Sequence, residues 1–133
     1  FEAGIEKVFV STDVDWSSYY IPNWRFSGLI NSDGELKPAY HNLQLLIEKT
    51  NGFESVVNMG GHLYKFNFDD KKPVYICWSE GTNDMADFSA LTANSYRVHE
   101  FSFKKGKKPS SSVIVNLNSY QVNSNPVLIE SSD

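Results

Sequence analysis

Five short stretches rich in β-branched and aromatic residues occupy the sequence from Phe53 onward. Turn-forming residues separate them at a spacing typical of an antiparallel β-sandwich. This pattern predicts a mainly β fold in which a compact sandwich fills residues 53–130. Two layers of sheet would bury alternating side chains, and the pattern leaves open which alternate face is inner. The five stretches are HLYKFNF, PVYICWS, SYRVHEFSF, SSVIVNL and NPVLIE.

An amphipathic helix is predicted immediately before this β module. The turn NSDG at 31–34 leads into Lys37-Pro38. Proline is tolerated in the first turn of a helix because its missing N–H would have no intrahelical partner there. We expect Asn51-Gly52 to end the helix. Helical spacing gives one apolar face, with Tyr40 beside it, formed by Ala39, Leu43, Leu46, Ile47 and Thr50.

The first part of the chain predicts one strand and a long loop. Residues 1–10 read as the tail of a helix followed by the strand IEKVFV. The stretch STDVDWSSYYIPNWRF then mixes four large aromatic residues with Ser, Asp, Asn and Pro, which is a composition of loops. Phe1 looks like a cut inside a longer protein, so we take no indication of localisation from the missing signal peptide.

Composition excludes several classes of function. The 133 residues suit one ordinary domain, and no apolar run approaches the roughly 18 residues that would cross a membrane. A net charge of −4, with both signs interspersed, argues against a nucleic-acid surface. The single cysteine, Cys77, permits no internal disulfide and is interpreted as a small buried apolar residue. Trp78, in the most apolar of the predicted strands, is interpreted as a core residue. No cofactor or metal site is predicted, because His41, His62 and His99 have no further ligands at a suitable spacing.

The order of these segments resembles the C-terminal part of retaining glycoside hydrolases with a (β/α)8 barrel (TIM barrel). Its most specific parts are Gly28-Leu29, Asp33-Gly34 and the KPAY of residues 37–40. The strands PVYICWS and NPVLIE follow in the same order and are less specific. The resemblance implies that residues 1–52 are the last strand, an aromatic loop and the closing helix of a barrel, its last βα unit. It implies that residues 53–133 are the C-terminal β-sandwich domain.

The resemblance also implies where a substrate would bind. In such barrels the active site lies at the carboxyl ends of the strands, in the loops that follow them. The apolar face of a pyranose ring stacks on Trp or Tyr, and its hydroxyls bond to Asp or Asn. Each candidate has a structural alternative, as a buried loop anchor or a turn-capping carboxylate. The candidate carbohydrate-binding residues are Asp15, Trp16, Tyr19, Tyr20 and Trp24.

No catalytic residue is assigned to this chain. Retaining hydrolysis needs two carboxyl groups about 5–5.5 Å apart, and the resemblance implies that both glutamates lie upstream of Phe1. The first hypothesis is therefore a glycoside hydrolase fragment that is inactive alone. Its expected partners are a poly- or oligosaccharide and either the remaining barrel or a homo-oligomeric copy. The alternative is a non-catalytic carbohydrate-binding or structural β-sandwich module, and a weaker third is a protein–protein adaptor.

Overall fold

The computed structural model describes residues 28–80 and 87–132. Within these ranges one α-helix precedes six β-strands, and a 3₁₀ turn at Leu117–Ser119 lies between the last two strands. The predicted first strand and aromatic loop lie outside the described residues. The elements are α1 (Pro38–Thr50), β1 (Ser55–Asn58), β2 (Leu63–Asn67), β3 (Val74–Cys77), β4 (Tyr96–Glu100), β5 (Ser110–Ile114) and β6 (Val127–Ser131).

The turn predicted at 31–34 closes a small hairpin ahead of the helix. The side-chain oxygen of Asn31 accepts hydrogen bonds from the backbone N–H groups of Asp33 at 3.0 Å and Glu35 at 2.8 Å. Gly34 has a φ of +84°, a left-handed conformation that costs a residue with a Cβ about 1–2 kcal/mol. An isolated bridge between Ile30 and Leu36 completes the hairpin, so the chain enters α1 at Pro38 in a fixed direction.

All six strands described belong to a single antiparallel sheet with the order β1-β2-β3-β6-β4-β5. The C-terminal strand β6 therefore lies between β3 and β4, near the centre of the sheet. Its consecutive residues Val127, Leu128 and Ile129 are all buried, because a central strand is covered on both faces. The edge strands β1 and β5 are mostly exposed.

One face of the sheet carries the main hydrophobic core. Register places Leu63, Cys77 and Val127 in one row across three strands, and Tyr75, Ile129 and Val98 in the next. Two residues outside the strands, Phe88 and Leu117, cover these rows, and the whole set is buried. We call this the core face. The opposite face, which carries Tyr64, Phe66, Leu128, His99 and Glu130, is called the helix face because α1 contacts it.

The structure confirms a mainly β fold with a helix in front of it. The five predicted strand stretches all form strands, whereas β1 was missed because only two valines within SVVN carry a β signal. The finer prediction of a two-layer sandwich stays a prediction, since the ladder hydrogen bonds join all six strands described into one sheet.

The helix forms where predicted. No residue of α1, which lies wholly within the described ranges, is fully buried. Ala39 and Ile47, both on the predicted apolar face, are exposed, and 56% of the Ile47 surface remains accessible. Asn42 and Lys49, which lie outside that face, bond to the β module. The side of α1 that contacts the β module is therefore not the predicted apolar face alone.

Candidate functional site

The sugar-contact residues predicted from sequence cannot be compared with geometry, because they all lie outside the described residues. They are Asp15, Trp16, Tyr19, Tyr20 and Trp24. The functional surfaces of residues 28–80 and 87–132 are therefore built from three other features: a polar contact between α1 and the sheet, an apolar groove on the outer side of α1, and a set of stacked rings on the helix face.

A charged network joins the end of α1 to the central strand. The ammonium of Lys49 lies 3.0 and 3.2 Å from the two carboxylate oxygens of Glu130. The Nε2 atom of His99, a buried residue on β4, lies 2.9 Å from the same carboxylate. Burial alone raises the pKa of Glu130, but hydrogen bonds from His99 and Lys49, together with their positive charges, lower it further than burial raises it.

A second polar contact anchors the beginning of the helix. The amide of Asn42 donates to the backbone carbonyl of Ser102 at 2.8 Å and accepts from its N–H at 3.0 Å. Asn42 thus binds the chain just beyond β4 as a neighbouring strand would. Together, Asn42 and Lys49 hold both ends of α1 against the β module through polar atoms. We call this the helix–sheet junction.

The apolar stripe of α1 forms an open groove on the side that faces away from this junction. The groove has a volume of about 400 Å³ and is lined largely by apolar groups, which include Leu29 from the hairpin and Tyr40, Leu43 and Ile47 from the helix. Tyr40 of the KPAY motif therefore lines this surface together with apolar residues from the next two turns of the helix. We call it the outer groove.

Three rings stack on the helix face of the sheet near the end of β3. The indole of Trp78 lies 4.9 Å from the His62 ring at an angle of 15°, and 5.4 Å from the Tyr64 ring at 12°. All three residues are half-buried. Glu80 is 72% exposed at its side chain, and one of its oxygens lies 3.6 Å from Nε2 of His62. We call these rings the aromatic stack.

Sequence reasoning placed Trp78 in the core, and this is wrong. Consecutive residues of an extended chain point to opposite faces of a sheet. Cys77 belongs to the core face, so Trp78 emerges on the other side, next to His62 and Tyr64. The two-residue spacing of His62 and Tyr64 was the available signal for a shared face. The helix–sheet junction had no signal in the sequence.

Cysteine and metal chemistry find little support in the described residues. Cys77 is inaccessible, and burial raises the pKa of its thiol to about 12, which keeps it protonated and inert. Among residues 28–80 and 87–132, no group of three His, Cys, Asp or Glu side chains is placed to hold a metal ion.

No protein-family model matches this chain, and no curated protein matches it either. In the part of the chain that the structure describes, no helix has the length and apolarity needed to cross a bilayer.

Proposed function

We propose that this chain is the C-terminal part of a retaining glycoside hydrolase that acts on poly- or oligosaccharides. In this proposal, residues 1–52 supply the last strand, an aromatic loop of the substrate cleft and the closing helix of a (β/α)8 barrel. The sheet that follows belongs to a β-sandwich domain that stabilises the barrel from behind. The chain itself carries no catalytic acid.

The orientation of α1 is the observation that carries the proposal. A helix that packed only on its own β module would turn its apolar stripe toward it, because burying apolar surface yields about 25 cal/mol per Å². Here Asn42 and Lys49 bond to the β module through polar atoms, and Leu45 lies on the same side of the helix, beside His99. Leu43 and Ile47 line the outer groove, which remains on the other side. A closing barrel helix needs both surfaces, an apolar one for the barrel strands and a second one for the domain behind it.

The hairpin before the helix supports the same reading. Barrel strands are joined to their outer helices by short turns that reverse the chain. The Asn31 side chain and the positive φ of Gly34 fix such a turn. Leu29, just before the turn, lines the outer groove. The Gly-Leu, Asp-Gly and KPAY parts of the resemblance therefore fall in one continuous structural unit.

Two of the described glutamates, Glu35 and Glu130, make contacts that support a non-catalytic role for this part of the chain. Glu35 is exposed, accepts a hydrogen bond from Asn31 at 2.9 Å and lies 3.4 Å from the ammonium of Lys105. Glu130 is bonded to Lys49 and His99 at the helix–sheet junction. These contacts are structural, and they leave the two carboxyl groups of a retaining mechanism to be supplied by the rest of the barrel.

The proposal is tested by comparing two purified proteins, this 133-residue chain and the longer protein that the proposal requires. Each is incubated with neutral glucan, xylan and mannan oligosaccharides, and reducing ends are quantified. We expect cleavage by the longer protein and none by the chain. Trp16→Ala in the longer protein should raise KM at least tenfold, whereas Phe103→Ala, at an exposed ring on the β module, should leave KM unchanged.

Two results would contradict the proposal. Cleavage by the purified 133-residue chain, free of other enzymes, would show that it carries its own catalytic acids. A longer protein that cleaves none of these oligosaccharides would remove the glycoside hydrolase assignment altogether. In that case the non-catalytic carbohydrate-binding module is favoured if the chain binds sugars, and the structural module if it does not.

A further inference from the structure

The position of the aromatic stack suits a ligand surface better than a hydrophobic core. It lies on the sheet face opposite the main core, and its three rings remain half-buried although they adjoin two fully buried neighbours, Leu63 and Cys77. The planes of Trp78 and Tyr64 differ by 12°, and those of Trp78 and His62 by 15°. Nearly parallel rings of this kind form one block with flat outer faces.

Hydrogen-bonding groups flank the rings. Glu80, largely exposed, reaches the His62 ring at 3.6 Å. On the other side, Asn58 of β1 is exposed and lies directly opposite Tyr64 in the register of the sheet. The surface thus combines flat rings, one of them the His62 imidazole, with a carboxylate and an amide close by.

We propose that the aromatic stack is a second carbohydrate-binding surface, separate from the cleft loop, that takes a neutral pyranose unit of an oligosaccharide. The apolar C–H face of the sugar packs on an outer ring of the stack. Its hydroxyl groups donate to the Glu80 carboxylate and exchange a hydrogen bond with His62. They accept from the side-chain nitrogen of Asn58, whose oxygen already accepts from the Gly60 N–H at 2.9 Å. The inference rests on the proposed function for the class of ligand, and on the ring geometry for the place.

Charge decides between a sugar and the other flat ligands that stack on aromatic rings. A nucleic-acid base also stacks on Trp or Tyr, but its phosphates require lysine or arginine nearby. The polar groups that the described residues place at this stack include the Glu80 carboxylate, the Asn58 amide and the imidazole of His62 itself, in a chain of net charge −4. A neutral sugar ring meets no repulsion there, whereas a polyanion does.

The test is an NMR titration of the full 133-residue chain with cellohexaose, laminarihexaose and xylohexaose. Binding is read from the three tryptophan indole N–H signals, and Trp78→Phe assigns the signal of Trp78. With at least one hexasaccharide we expect a saturable shift of that signal. Trp78→Ala should weaken binding at least tenfold and Glu80→Gln two- to fivefold. Phe103→Ala, the matched exposed-ring control, should not change it.

A Trp16→Ala variant separates this inference from the proposed function. Binding that survives Trp16→Ala but is lost in Trp78→Ala supports a second surface on the β module. Binding that is lost in Trp16→Ala and kept in Trp78→Ala overturns the inference and leaves the cleft loop in place. The absence of any saturable shift with all three sugars also overturns it, whatever the longer protein cleaves.

Folding of the variants is checked by circular dichroism before titration. If Trp78→Ala does not fold, the Tyr64→Leu and Glu80→Gln variants are titrated instead. Both should fold, because the first keeps an apolar side chain in the strand and the second changes an exposed side chain. Unchanged affinity in both of these folded variants would overturn the inference, and weaker binding in both would support it.

Discussion

Replacing Glu130 by glutamine probes the helix–sheet junction directly. The Oε1 atom of Glu130 lies 3.0 Å from Nζ of Lys49 and 2.9 Å from Nε2 of His99. The side chains of Lys49 and Glu130 are each only 23% exposed. A hydrogen bond to a charged group contributes about 1.5–3 kcal/mol when shielded. Glutamine keeps one acceptor oxygen but loses the charge, and solvent screens part of the pair. We therefore expect Glu130→Gln to destabilise the chain by about 1–2 kcal/mol at pH 7.

Urea unfolding at pH 7 measures this loss, which corresponds to a fall in Tm of about 4–7 °C for a chain of this size. Glu54→Gln, at an exposed glutamate, is the control and should change the free energy of unfolding by less than about 0.5 kcal/mol. A Glu130→Gln variant as stable as the wild type would refute the idea that this network holds α1 on the sheet.

The same network gives a pH dependence with a definite sign. The pKa of Glu130 lies below its ordinary value of 4.5, so the unfolded chain takes up the proton first as pH falls. The stabilisation is fully present above about pH 4.5 and is lost as pH falls through the lower pKa of the folded state. The difference in unfolding free energy between wild type and Glu130→Gln should therefore shrink below pH 4.5. A difference that grows in acid would contradict this account.

Three further predictions test other parts of the fold. Ile129→Ala, at a fully buried site on the central strand, should cost about 2–5 kcal/mol by urea unfolding, whereas Val113→Ala, on the exposed edge strand, should cost under about 1 kcal/mol. Cys77 should resist thiol reagents at pH 8 in the native state and react fully in urea, because its pKa is raised to about 12 and it is inaccessible; rapid native labelling would refute this. Gly52→Ala should cost about 1 kcal/mol from its φ of +79° alone, since an added Cβ meets no atom within 4 Å, and a neutral result would contradict the cap geometry.

Local signals in the sequence predicted most of the elements. The strand stretches were recognisable because β-branched and aromatic residues alternate between turn residues, and Pro38 and Gly52 marked the ends of the helix. These features depend on a few neighbouring residues. The position of β6 between β3 and β4 does not, because it is set by contacts between strands distant in sequence.

The orientation of α1 and the position of Trp78 show where periodicity alone is insufficient. A period of 3.6 locates an apolar stripe on α1, yet it does not tell what covers the stripe, and Asn42 and Lys49 turned out to make the contact with the sheet. Trp78 was assigned to the core because it follows an apolar run. Its side chain follows the alternation of the strand instead, which places it on the opposite face from Cys77.

The central claim is that the outer groove is the barrel-facing side of a closing helix, and Ile47→Asp tests it most directly. Its effect on the free energy of unfolding is measured in the 133-residue chain and in the longer protein. At a side chain that is 56% exposed, we expect a loss of no more than about 1 kcal/mol in the chain alone, including the unfavourable charge near the helix C-terminus. In the longer protein the aspartate would be buried without a partner, and we expect a loss of about 2 kcal/mol or more. Equal effects in the two proteins would contradict the claim.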